Sequence, residues 1–227
     1  MITCRKDVDD LLLNLDYVKI IPAYYENVIN YYKDIYRLEY LNINQDTKKE
    51  VFNSFIVLDT ETTGLSPKYN DKIVQITAIK LENFKPTKIF TSLVNPKRFI
   101  PYNVSQIHGI TNEDVEFSPT FGEIKDQLSE FIKDEIVIGH NITFDLNFLL
   151  NEGVNILELN TKIVDTLQLA RRLVDKNFIE NYRLGTLCNY FCMDYFNYHN
   201  ATEDVLASSY VFLNLLNLIF IDEVIDF

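Results

Sequence analysis

Asp59 and Glu61 stand two residues apart at the end of the apolar run Phe55–Leu58, within Phe-Ile-Val-Leu-Asp-Thr-Glu-Thr-Thr-Gly-Leu (55–65). Side chains of a strand alternate faces, so residues i and i+2 leave the same side. Two carboxylates held that close repel each other unless a cation lies between them. The pair therefore points to a bound divalent metal. Further acids fall where helices should begin. In Val-Ile-Gly-His-Asn-Ile-Thr-Phe-Asp (137–145), a buried strand stops at Gly139 and Thr143 is a plausible N-cap. That places Asp145 in a first helical turn, where the dipole favours an anion by roughly 0.3–1 kcal/mol. In His-Asn-Ala-Thr-Glu-Asp-Val (199–205), Asn200 and Glu203 have capping-box spacing. His199 then sits just before a helix and Asp204 in its first turn, so the two can converge. An imidazole with a pKa near the working pH, beside metal-bound water, is a natural general base. Magnesium takes oxygen ligands, and two such ions about 4 Å apart can activate a water and stabilise the leaving oxygen of a phosphodiester.

The surrounding pattern predicts the elements that carry these groups. Phe55–Leu58, Lys72–Leu81 and Thr87–Val94 read as three strands of an antiparallel meander, with a turn near Asn83–Pro86. A loop-rich stretch follows around Pro101–Asp114. Then come a helix over Phe121–Ile132, a short strand at Ile136–Ile138, a helix over Phe144–Asn151, a strand at Ile163–Val164 and a helix through Arg172. Helices near Leu184–Phe191 and Thr202–Ile219 close the chain. Residues 1–53 read as helical, with Leu11, Leu12, Leu15 and Val18 at helical spacing and Pro22 opening a second helix through Tyr25, Ile29, Tyr32 and Tyr36. The expected fold class is α/β, a mixed five-stranded sheet flanked by helices, over residues 54–227, preceded by a helical extension over 1–53.

The 227 residues carry a net charge of −12. This argues against a basic protein that coats DNA. It does not argue against a nucleic-acid enzyme, because metal ions can supply positive charge at the scissile phosphate. The three cysteines, Cys4, Cys188 and Cys192, form no framework and read as reduced thiols. Cys188 and Cys192 are expected to be buried thiols rather than zinc ligands. No signal peptide or membrane span is visible, and the expected location is the cytoplasm.

The residues resemble the DEDDh 3′–5′ exonucleases, the type found in proofreading epsilon subunits and PolC exonuclease domains. The first motif is similar at Asp59-Thr60-Glu61-Thr62-Thr63-Gly64-Leu65, the second at His140-Asn141 with Phe144-Asp145, and the third at His199 with Asp204. Val94-Asn95-Pro96, Ile107-His108-Gly109-Ile110-Thr111 and Asp165-Thr166 follow the family in the same order, so the likeness spans about 54–218. It implies a ribonuclease-H-like fold with two Mg²⁺ or Mn²⁺ ions. It implies that Asp59 bridges the metals, that Glu61 and Asp204 hold the one binding the attacking water, that Asp145 supports the other, and that His199 takes the proton. Nucleoside 5′-monophosphates would leave a single-stranded or frayed 3′ end one at a time. The backbone of Thr62, Thr63 and Gly64 would meet the terminal nucleotide, and Leu65 would wedge against its base. A DNA polymerase or repair protein is the implied partner. RNA trimming shares this chemistry, and a nuclease-fold interaction module using the N-terminal helices is a third reading.

Other residues carry two readings each. His108 reads as a nucleotide contact or a loop hydrogen bond, and Asn141 as a substrate contact or an organiser of its loop. His140 reads as structural support in preference to proton transfer, and Asp165 as a helix cap in preference to a metal ligand. Asp71 and Asp114 read as turn or surface acids. Arg171, Arg172, Lys176 and Arg183 either hold phosphates or make a solvated helix end.

Overall fold

The computed structural model describes residues 16–19, 54–193 and 201–222. Of residues 1–53 it therefore gives only the strand β1 (Asp16–Lys19). The sheet continues with β2 (Ser54–Thr62), β3 (Ile73–Glu82), β4 (Lys85–Leu93), β5 (Ile136–Gly139) and β6 (Lys162–Asp165), in the spatial order β1-β4-β3-β2-β5-β6. The expected meander is present: β2 pairs antiparallel with β3, and β3 with β4. The chain turns between them at Asn83 and Phe84, both at positive φ (51° and 62°), as a two-residue hairpin turn requires. β5 and β6 then add in parallel beside β2.

Two expectations need correction. The helix assigned through Val18 is instead the strand β1, lying parallel against β4, which adds a sixth strand to the five expected over 54–227. The open hydrogen-bonding edge of β4 outweighs a helical spacing that local sequence alone supports. The rest of the helical reading of 1–53, its tyrosines and Cys4 lie outside the described residues. The loop-rich stretch after β4 also contains two short helices, α1 (Tyr102–His108) and α2 (Asn112–Val115). Asp114 is not merely a surface acid, because it closes a capping box with Thr111 at the start of α2.

The layers follow from alternation along β2. Phe55 and Val57 face one side, where they join Ile79, Leu81 and Ile138 under the C-terminal helix α7 (Ala201–Asp222) through its Val205, Leu206, Phe212 and Leu213. Ile56 and Leu58 face the other, against α3 (Phe121–Ile132) and α4 (Thr143–Asn151). α3 buries Phe121, Ile124, Leu128 and Ile132, one stripe of a 3.6-residue period, behind a Thr120–Glu123 capping box. α5 (Thr166–Leu173) and α6 (Leu184–Tyr190) complete the α7 side. There Cys188 is buried as expected, while Cys192 is exposed just beyond α6, at φ 62°.

The parallel strands β2, β5 and β6 all end at one edge of the sheet, where ligands of α/β folds gather. Gly139, the last residue of β5, is needed for that convergence. A Cβ there would lie 2.9 Å from the Leu58 carbonyl oxygen and 3.0 Å from Ile142 Cβ. Gly139→Ala is therefore expected to destabilise the fold by about 1–3 kcal/mol. Urea unfolding measures this, and an unchanged midpoint would contradict the close approach.

Candidate active site

Continuing the alternation past Leu58 sends Asp59 and Glu61 to the α7 side and Thr60 to the α4 side. Asp204, in the first turn of α7, meets the first two. Carboxylate oxygens of Asp59, Glu61 and Asp204 lie within 4.8 Å of one another. Asp145, in the first turn of α4, approaches the same strand end from the opposite layer. Thr60 donates its hydroxyl to Asp145 Oδ1 at 2.6 Å. The site thus draws on both helix layers through three consecutive residues of one strand. Thr143 is not the N-cap expected for α4. Ile142 takes that position, in helical conformation and without a side-chain cap, because Asn141 at φ 60° turns the chain directly into the helix. Asp145 still falls in the first turn.

The electrostatics are those of a centre that needs cations. Burial first, then the charges of Asp145, Asp204 and Glu61, push the Asp59 carboxyl well above the usual range. Burial and the charges of Asp204 and Asp145 do the same to Glu61. Asp145, only 3% exposed, is raised by burial to about 7 even though the Thr60 hydrogen bond pulls the other way. A cluster of oxygen-only donors whose charges are this costly fits Mg²⁺ or Mn²⁺. Asp59, Glu61 and Asp204 are placed to share one ion, with Asp145 beside them.

Beyond β2 the chain folds into a tight loop. Thr62 donates to the Gly64 carbonyl at 2.6 Å, Thr63 N–H to the Lys72 carbonyl at 2.8 Å, and Lys72 N–H to Thr63 Oγ1 at 3.0 Å. Asp71 is more than a surface acid: it accepts from Ser66 N–H (3.0 Å), Thr63 Oγ1 (3.4 Å) and Arg98 Nη1 (3.1 Å). A Cβ on Gly64 would strike this carboxylate, which would have to move out of the bonds that hold it. Leu65 stands at the apex, 87% exposed.

Asp59, Glu61, Thr62, Gly64 and Leu65 line one open cleft of about 1590 Å³, together with His108, His140, Asn141, Phe144, Asp145 and Asp204. His108 is buried at the end of α1, and its Nδ1 accepts the Ile110 N–H at 3.0 Å, so the loop hydrogen bond is present in a residue that also lines the cleft. His140 Nδ1 lies 3.0 Å from Thr166 Oγ1, and burial lowers its pKa to about 4. A ring that stays neutral supports the structural reading. Asp165 caps α5 through Leu167 N–H (2.9 Å) and also accepts Asn141 N–H (3.0 Å), joining the β5 and β6 ends. Phe144 is half-buried, with its ring 5.0 Å from that of Phe148. His199 and Asn200 lie outside the described residues. The supporting roles of Thr60 and Arg98 were not legible in the sequence, since each depends on a partner 85 or 27 residues away.

The titrations carry a sign. A free carboxyl like Asp145 titrates at 3.8, against about 7 in the fold. Below 3.8 both states hold the proton and the group contributes nothing. Between 3.8 and 7 the folded chain keeps a proton that the unfolded chain has lost, so stability falls as pH rises, and above 7 the loss is complete. The raised Asp59 and Glu61 act in the same direction. Metal-free protein is expected to melt at progressively lower temperature across that window, and Mg²⁺ or Mn²⁺ added above its upper end should restore the midpoint. A midpoint that rises with pH would contradict the clustering. Thr60→Val leaves Asp145 without its donor. It should weaken Mn²⁺ binding roughly tenfold by calorimetry, while Thr60→Ser keeps it. Equal affinities for the two variants would remove the role.

Comparison with known proteins agrees with this geometry. The RNase T exonuclease family model matches residues 56–212. The DNA polymerase III subunit epsilon of Rickettsia felis is 37% identical over 170 residues, which are 70% of this chain and 72% of that protein. The PolC-type DNA polymerase III of Caldanaerobacter subterraneus subsp. tengcongensis is 31% identical over 77% of this chain, but the match spans only 12% of that longer protein. Among solved structures, exonuclease X in complex with 5′-overhanging duplex DNA superposes with a TM-score of 0.59 at 25% identity, covering 72% of this chain and 91% of that one. E. coli exonuclease I with a dT13 oligonucleotide shares the fold at a TM-score of 0.64 and 17% identity, over 75% of this chain and 43% of that one. With its matched span running from β2 into α7, through every described carboxylate of the cleft, the chain belongs to the RNase T exonuclease family.

Proposed function

We propose that this chain is a metal-dependent 3′–5′ exonuclease that releases nucleoside 5′-monophosphates from single-stranded or frayed DNA ends, acting in proofreading or repair beside a DNA polymerase. The observation that carries the reading is the convergence of Asp59, Glu61 and Asp204 on one point of an open cleft, with Asp145 tied in through Thr60. Two bound Mg²⁺ or Mn²⁺ ions would supply the activated water and the stabilised leaving oxygen that phosphodiester hydrolysis needs. Asp59, Glu61 and Asp204 hold the ions and Asp145 supports them. His199 serves as the general base that removes the water's proton.

The terminal nucleotide is fixed by the loop after β2. The backbone of Thr62, Thr63 and Gly64 meets its sugar and phosphate, and the exposed Leu65 packs on the base, a contact that favours an unstacked end. Asn141 and Phe144 border the same space. The polymerase partner is supported by relatives that are named as polymerase subunits or polymerases.

Purified protein with Mg²⁺ or Mn²⁺ should shorten a 5′-labelled oligonucleotide from its 3′ end, and Asp59→Ala should abolish the activity. Hydrolysis that survives this substitution would sink the assigned centre. Comparing kcat/KM for matched DNA and RNA strands decides between DNA proofreading and RNA trimming, and a preference for RNA would overturn the DNA assignment.

A further inference from the structure

The cleft that holds the carboxylates also carries charge of the opposite sign. Arg171, Lys176 and Arg183 line the same cleft as the carboxylates. Glu180 is the acid that lies among them. All three cations are exposed, and none forms an ion pair among the described residues. In a chain with a net charge of −12, three exposed cations without an acid partner among the described residues face the cleft that holds the acid cluster. A solvated helix end does not require them to share a cavity.

Their positions are built. Arg171 is in the last turn of α5, close enough to His140 that its charge lowers the ring's pKa. The following segment is pinned at several points. Tyr182 donates its hydroxyl to the Val174 carbonyl at 2.9 Å. Asp175 caps the turn that carries Lys176, accepting Asn177 N–H at 2.8 Å. Asn181 Oδ1 accepts both Arg183 N–H (2.9 Å) and Thr186 Oγ1 (2.8 Å). Ile179 is buried between them. These bonds present the cations from a fixed backbone. The cleft, at about 1590 Å³, also exceeds the roughly 300–1,000 Å³ of a pocket for one small ligand, so it has room for more of the strand than its last nucleotide.

We infer that Arg171, Lys176 and Arg183 form an upstream subsite that holds internal phosphates of a single strand whose 3′ end lies at the carboxylates. The inference rests on the nuclease reading for the direction of the strand, though not for the binding itself. The two charged groups of the cleft divide the work: the acids, with their metal ions, take the scissile phosphate, and the cations take those that precede it. The enzyme should therefore favour strands of several nucleotides over dinucleotides.

The test uses a fluorescent oligothymidylate of about 12 nucleotides, within the length one single-strand groove engages. Anisotropy in Ca²⁺ reads binding, and hydrolysis in Mg²⁺ reads kcat/KM for this strand and for a dinucleotide. The log of the binding constant should fall with log salt at a slope of about −2, the value for three phosphate contacts on a single strand. Arg171→Gln, Lys176→Gln and Arg183→Gln should each flatten the slope by about 0.7. Combined, they should cut affinity tenfold or more and lower the ratio of long-strand to dinucleotide kcat/KM by a similar factor. Neutralising Lys88, Lys133 and Lys162, which lie away from the cleft, should change neither. An unchanged slope and affinity in the triple variant would make the cations a solvated helix end and overturn the subsite, as would an equal loss on both substrates. Wild-type protein that binds the strand through these cations but cleaves nothing would keep the subsite and refute the nuclease reading. Cleavage that is indifferent to the triple substitution would refute the subsite alone.

Discussion

Mutual repulsion among Asp59, Glu61, Asp145 and Asp204 is the constraint around which this molecule is organised. Left to itself, a chain would not gather these groups at the rim of a hydrophobic sheet. Burial and like charge drive the pKa values of Asp59, Glu61 and Asp145 upward, and each raised pKa is a free-energy cost of folding in the charged form. The fold bears that cost through the apolar layers on either side. β2 is clamped between Phe212 and Leu213 of α7 and Phe148 and Leu149 of α4, so the strand end cannot relax away from its neighbours. The carboxylates are held in place by packing several residues back along the strand, and their repulsion is offset by a cation or, at lower pH, by the protons that their raised pKa values retain.

How much of this was legible in the sequence depends on the range of the interaction that decides each feature. The Asp59–Glu61 pair, the strand of Phe55–Leu58 and the amphipathic helix over Phe121–Ile132 are set by local periodicity, and the structure has them where the pattern places them. The order of the motifs carried the family. Features decided by distant partners were hidden. Residues 16–19 look helical in isolation, yet they pair with β4, about seventy residues further on. Thr60 reads as a spacer between two acids, and only the arrival of α4 from the other layer gives its hydroxyl a partner. Asp71 reads as a turn acid, and its contact with Arg98 exists only once β3 and β4 have paired. Thr143 has a side chain that suits a cap, but the left-handed Asn141 starts the helix a residue earlier.

The division of the site between two helix layers has a chemical logic. Residues 59 and 61 share a face and Thr60 has the other, so the strand itself sorts the acids. Asp59, Glu61 and Asp204 belong to the α7 side, while Asp145 is joined from the α4 side through one hydroxyl. A shift of register by one residue in β2 would exchange these sets and point the acids into the α4 core. The register is secured by antiparallel pairing with β3 along the whole strand, up to the irregularity between Glu61 and Thr62. That irregularity falls where the strand must stop being a sheet member and become the Thr-Thr-Gly-Leu loop.

The stiffness of that loop and the charge of the cleft bear on each other. A strand entering an acidic site gains little from general attraction, because a chain of net charge −12 does not draw in phosphates, and charges further off than the roughly 8–10 Å Debye length are screened. Capture must come from short-range contacts whose geometry is already set. On one side the proposed contacts are Leu65 and the backbone around Gly64, pinned by Asp71 and Arg98. On the other they are Arg171, Lys176 and Arg183, on a segment pinned by Tyr182 and Asn181. Both supports are rigid before any strand arrives, so little conformational entropy remains to be lost on binding. A site whose own charges oppose its substrate needs that preorganisation more than a basic one does, and the hydrogen bonds that lock these two loops supply it.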